Sequence, residues 1–124
     1  MYALEHAVLD GKLSFSRSGA VSKSVNWASL IVPNDAQIVS GYLDKFKNSK
    51  SIPISLVGMT NSYDNLEIRY DSSIDWINEK KHAIISNGPF VLERYSPESR
   101  TIKIISFDDP TYPFEAGHWK KFEQ

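Results

Sequence analysis

Asn87 to Phe114, NGPFVLERYSPESRTIKIISFDDPTYPF, reads as a β-hairpin entered through an Asn-Gly-Pro corner. Phe90, Val91, Leu92 and Tyr95 precede the turn, and Ile102, Ile104, Ile105 and Phe107 follow it. β-Branched and aromatic residues bounded by Gly, Pro, Ser and Asn mark paired strands. Ser96-Pro97-Glu98-Ser99 suits a type I turn, because Pro97 has its φ preset for the second position. The preferred register sets Leu92 opposite Ile104 and Glu93 opposite Lys103, one apolar and one charged pair. Asn87, Gly88 and Pro89 form a structural corner, and Asp109 to Phe114 leaves the hairpin through a second proline-stiffened segment.

Moving outward, Tyr63, Leu66, Tyr70, Ile74 and Ile77 step by three or four, which predicts an amphipathic helix over about 61–80. Lys80, Lys81 and His82 place positive charge at its C-terminal end. Before it, Ile52 to Val57 is short and interrupted by Pro53, and reads as an edge strand or extended linker. A second amphipathic helix spans about 34–48, with Ile38, Val39, Tyr42, Leu43 and Phe46 as its stripe. Asn34 is its expected N-cap, with Gln37 placed to return a bond to the cap and Asp35 favouring the positive end of the helix. Gly41 inside that helix suggests close packing against a neighbour, since it costs about 1 kcal/mol relative to Ala.

Towards the N-terminus, Tyr2 to Asp10 favours a short helix closed at Gly11, with a hairpin turning at Asp10-Gly11 as the alternative. Lys12 to Arg17 alternates as a half-buried strand, and Ser18 to Ser29 reads as a polar loop. The architecture expected is α+β: a small antiparallel sheet with a central hairpin (about 89–107) covered by the two helices.

A chain of 124 residues is one domain, 1–124, by the length prior. A net charge of −1 leaves no basic footprint for nucleic acid. The absence of cysteine excludes disulfides and thiolate metal sites. No apolar run approaches the roughly 20 residues that span a bilayer. Met1 to His6 shows no basic region followed by an apolar core, so neither signal nor anchor is expected in this chain.

The sequence has no phosphate loop, nucleophile elbow or His-Glu-x-x-His motif. No enzymatic activity and no cofactor are expected. His6, His82 and His118 fit no zinc spacing and read as surface or helix-end residues, so no metal is expected. Asp108-Asp109 could share a proton as paired carboxylates, and with His118 would make a small hydrolase. Followed by Pro110, they read instead as a solvated turn. Three residues are candidates for ligand contact. Trp27, a large indole in a polar loop, either plugs the core edge or faces a cleft. Arg17, at the end of the first strand, is a candidate anion partner. Asn87 precedes a glycine that permits close backbone approach.

The hairpin resembles the segment of family 5 extracellular solute-binding proteins in which an Asn-Gly-Pro-Phe corner opens a strand, a hairpin and a proline-containing loop. These are the peptide- and nickel-type receptors of ABC importers. The run Trp76 to Trp119, with HAIISNGPFVLERYSP, TIKIISF and DDPTYPFEAGHW, is similar to the C-terminal portion of archaeal members. LSFSRSGAVSK, Asn26-Trp27 and the helix opening at Pro33-Asn34 resemble the stretch before it, more loosely. The resemblance implies a fragment, or one lobe segment, of a longer two-lobed protein. That protein captures a peptide or similar small solute at the extracellular or periplasmic face, anchored to the membrane. Its implied partners are the remaining lobe and the ABC permease subunits. Lys81 stands where a helix-terminating glycine is expected. The alternative is a stand-alone structural or protein-interaction domain, using the edge Ile52 to Val57 for β-augmentation.

Overall fold

The computed structural model describes residues 1–59, 63–86, 88–107, 110–111, 113–115 and 117–122. Its element order is α1 (Tyr2–Leu9), β1 (Leu13–Ser14), α2 (Arg17–Lys23), β2 (Asn26–Trp27), α3 (Pro33–Asn48), a 3-10 turn (Ile54–Leu56), α4 (Asp64–Lys80), β3 (Phe90–Ser96), β4 (Thr101–Ser106) and a 3-10 turn (His118–Phe122). The fold is α+β, with β3 and β4 antiparallel and β1 and β2 a short parallel pair.

The N-terminal segment is a helix, and its stop is local chemistry. Gly11 takes φ +68°, which lets its N–H donate to the Val8 carbonyl at 3.0 Å and the Lys12 N–H to the Ala7 carbonyl at 2.8 Å. This six-to-one and five-to-two pairing satisfies carbonyls that the helix end leaves open.

The expected strand over Lys12 to Arg17 shrinks to two residues, and the expected loop from Ser18 contains α2. Serine capping accounts for both corrections. The Ser16 hydroxyl accepts from the Gly19 N–H at 3.0 Å and starts a helix where alternation alone suggested extended chain. Gly19 packs so closely on Ser14 that a Cβ there would lie 2.6 Å from the Ser14 Oγ. Phe15, expected to face the core with Leu13, is exposed, whereas Leu13 is fully buried.

Helix α3 also begins differently from expectation. Val32 is the N-cap without a side-chain bond, Pro33 occupies the first turn, and Asn34 lies inside the helix. Asp35 carries the local order instead. Its buried carboxylate accepts from Asn26 Nδ2 at 2.8 Å and from the Ser29 N–H at 3.0 Å, pinning the approach to the helix. Gly41 is not a close contact: a Cβ built there meets nothing within 4 Å.

Helices α1, α3 and α4 bury Ala3, Leu4, Ala7, Val39, Phe46, Leu66, Tyr70 and Ile77 against one another. A fully buried Leu, Ile or Phe contributes roughly 1.5–3 kcal/mol, so this seam is the main source of stability. Two tyrosines place their rings along the seam and satisfy their hydroxyls at its edge. Tyr70 donates to the Ser51 carbonyl at 2.8 Å and Tyr63 to the Lys47 carbonyl at 2.6 Å. Helix α4 starts at Asp64; Asn61 and Ser62, where an earlier start was expected, lie outside the described residues. Ile54–Leu56 is a 3-10 turn closed by the Leu56 N–H on the Pro53 carbonyl at 2.8 Å, not an edge strand.

The hairpin pairs Leu92 with Ile104 as expected, but Arg94 and not Glu93 opposes Lys103. A bulge takes Glu93 out of the ladder, and its carboxylate meets Lys80 Nζ at 3.4 Å. The turn is shifted by one residue. The Arg100 N–H donates to the Pro97 carbonyl at 3.2 Å, which puts Pro97 first, and Arg100 takes φ +53°. The helices pack chiefly on each other, so the expected cover over the sheet is sparse. Neither strand contributes a buried core residue, and β4 is exposed throughout.

Candidate functional site

Of the ligand-contact candidates, Trp27 and Arg17 lie on neighbouring elements, β2 and α2. Trp27 sits in β2, paired with Ser14, and is 59% exposed, so it does not plug the core edge. Arg17 opens α2 and does not end a strand; it is exposed. Asn87 lies outside the described residues, as do Asp108 and Asp109. The rest of the corner is ordered by hydrogen bonds. The Gly88 N–H donates to Ser86 Oγ at 3.1 Å, and the Phe107 N–H to the Pro89 carbonyl at 2.8 Å, extending the hairpin ladder.

The histidines divide into three environments. His6 packs edge-on against Tyr2 and Phe46, with centroids 4.6 and 4.9 Å away. His118 stacks on Phe114 at 4.3 Å. His82 stands at the end of α4, as the helix-end reading expects, but is fully buried and not on the surface, and it bridges the end of α4 to β3 through the Leu92 carbonyl. Among the described residues, no group of three or more His, Asp or Glu could hold a metal ion. No described helix is long and apolar enough to cross a membrane.

Beside His82, Lys80 lies between Glu79 Oε1 at 2.9 Å and Glu93 Oε1 at 3.4 Å. The bond to Glu79, and then that to Glu93, raise the Lys80 pKa against the opposing effect of burial. Its ammonium also stands 5.9 Å from the Trp76 ring centroid. This charge cluster fastens the bulged strand to α4.

Two further features could engage another molecule. The first is the hairpin, where Phe90, Ile102 and Ile104 are 58%, 57% and 60% exposed. The second is a cavity of about 290 Å³ between α1, α3 and α4, walled by Leu4, Val39, Leu43, Leu66 and Ile77. Sequence reasoning assigned these apolar positions to packing and missed the void. Small side chains at Ala3 and Ala83 line it too, and a stripe of spacings does not reveal how far facing side chains reach.

No family model matches the chain. No curated protein matches it either.

Proposed function

We propose that this chain is part of the substrate-binding receptor of an ABC importer, one that captures a peptide or similar small solute outside the cell. The observation that carries the reading is the uncovered hairpin. An antiparallel sheet ordinarily packs one face on a core, yet Phe90, Ile102 and Ile104 each leave more than half their surface exposed. An apolar face of this kind marks a surface that another piece of protein covers. The rest of a lobe is that piece in a longer receptor, and the corner and strands resembling those of the solute receptors lie on this same element. The mechanism is capture in a cleft between lobes followed by closure, with no covalent step. Affinity is the surplus of contacts over the cost of closing.

Fractionation of source cells, probed with an antibody against this domain, tests the reading. A band several times larger than 14.1 kDa in the envelope fraction supports a receptor. A soluble cytoplasmic band at 14.1 kDa excludes it.

A second reading, a stand-alone interaction domain, draws on β4, which pairs with β3 alone among the described strands. An extended peptide adding to that edge would gain main-chain hydrogen bonds. Pull-down of a partner by the wild-type chain, lost on substitution of Ile105 by Pro, separates this reading from the first.

A further inference from the structure

His82 is a buried titratable group that solute capture between lobes does not use, and both of its ring nitrogens are committed to backbone. Nε2 meets the Leu92 carbonyl at 2.9 Å, and Nδ1 accepts from the Ile84 N–H at 3.3 Å. A ring that accepts at one nitrogen carries a single proton, so this pair of partners fits neutral imidazole. A second proton would fall on Nδ1, where it meets an N–H and not an acceptor.

The surroundings supply no counter-charge either. Trp76 stands edge-on to the ring, with centroids 6.0 Å apart. The titratable groups on the elements packed around it are Glu79 and Lys80 in the last turn of α4, Lys81 at its cap, and Glu93, Arg94 and Tyr95 on β3. Lys80 engages both glutamates, and among the described residues no carboxylate contacts the imidazole. Residues 83–86 and 28–32, joined by the Ala83 N–H on the Leu30 carbonyl at 2.7 Å, carry no charge. A second positive charge in that pocket has to leave for water.

The place of the ring in the fold gives this exit a consequence. Neither β3 nor β4 contributes a buried residue to the helical core. The polar contacts that fasten β3 to the end of α4 are the His82–Leu92 bond and the partly exposed Lys80–Glu93 pair. Losing the first frees the hairpin and leaves the seam of α1, α3 and α4 in place.

We propose that His82 is an acid-sensitive latch. Uptake of a second proton drives the ring out of its pocket, breaks its bond to Leu92 and releases the β3–β4 hairpin from α4. The sign follows from the two states. A released imidazole takes the proton near its ordinary value of about 6.5, whereas the latched ring has no acceptor for it. The open state binds more protons, so latching is fully present above that pH and weakens as pH falls below it, by up to about tenfold per unit. Carboxylates ordinarily titrate near about 4, below this window. The latch does not rest on the receptor reading.

Native-state hydrogen exchange of the 124-residue chain, expressed as protection so that the intrinsic pH dependence of exchange drops out, tests the latch. From about pH 7.5 to about pH 5, protection of the β3–β4 amides should fall roughly 10- to 30-fold while that of α3 holds. His82→Gln keeps a donor for Leu92 and cannot titrate, so it should abolish this acid response with His6 and His118 still in place. Imidazole ¹⁵N shifts of the wild-type chain give a reading that needs no variant: the doubly protonated His82 ring should appear only as hairpin protection is lost. Unchanged hairpin protection in acid overturns the proposal. So does an acid response that persists in His82→Gln, or a doubly protonated ring beneath a hairpin that stays protected.

Discussion

The imidazole of His82 donates from Nε2 to the Leu92 carbonyl at 2.9 Å and is a fully buried polar link between the end of α4 and the hairpin. Its tautomer follows from the partners. The Ile84 N–H donates to Nδ1 at 3.3 Å, so Nδ1 is the acceptor and Nε2 carries the proton. Replacing His82 by Ala leaves a void and two unpaired backbone groups, and should cost about 2–4 kcal/mol. Urea unfolding measures the loss. Hydrogen exchange should show the β3–β4 amides opening before those of α3. Uniform exchange across hairpin and helices in the variant would refute the linking role.

Gly41 offers the opposite outcome. It lies within α3 in open surroundings, so a methyl group there meets no neighbour within 4 Å. Gly41→Ala removes backbone freedom from the unfolded chain and should stabilise by about 0.5–1 kcal/mol. A rise in the urea midpoint with an unchanged slope is the expected signature.

The helix seam was legible because its positions recur at three and four residues, from Leu66 through Tyr70 to Ile77. The hairpin was legible from its β-branched runs, including the Leu92–Ile104 pair. Half a register was not, because the bulge at Glu93 depends on Lys80, thirteen residues earlier and on another element. Helix α2 escaped notice because a serine cap and a close Gly19–Ser14 approach create it without an apolar stripe. The ligand candidates Trp27 and Arg17 rested on local oddity, which does not report what surrounds a side chain in the folded chain. The cavity depends on how three helices fail to fill the space between them, which no single periodicity encodes.

Lys81 is the C-cap of α4 and takes φ +61°, a left-handed conformation that glycine adopts without strain. The glycine expected there from the resemblance therefore has a physical reason. Lys81→Gly should stabilise by about 0.5–1 kcal/mol, with the relief of strain partly offset by a freer unfolded chain. Thermal unfolding of Lys81→Gly against Lys81→Ala checks this, since alanine keeps the strain. Equal midpoints for the two variants would argue against backbone strain as the cause.

Tyr42 supplies a pH test. Its hydroxyl donates to Asp10 Oδ2 at 2.7 Å, tying α3 to the end of α1. That bond, then burial and the Asp10 charge, push the phenol pKa from 10.0 up to about 12. The folded state thus holds the proton more tightly than the unfolded chain. The resulting stability is fully present below pH 10 and is lost as pH rises through about 12. Tyr42→Phe should be less stable than wild type at neutral pH, with the gap closing across that alkaline window. Parallel stability curves for the two proteins from neutral to strongly alkaline pH would exclude the coupling.

Ile104 tests what the uncovered hairpin is for. In the isolated chain it is 60% exposed, so Ile104→Lys should change stability by no more than about 0.5 kcal/mol and raise solubility. If the chain is part of a longer receptor, as proposed, the same position would lie against the rest of the lobe. A lysine there would have to leave water without a partner, which costs several kcal/mol on the order of a buried unpaired charge. The two contexts therefore predict opposite sensitivities for one substitution. Denaturant unfolding of the 124-residue chain and of the longer product, each with and without Ile104→Lys, gives the comparison. A loss of roughly 2 kcal/mol or more in the longer product alone identifies the hairpin as an internal surface. Tolerance in both contexts means that the face stays open in the longer chain and removes the observation on which the receptor reading rests.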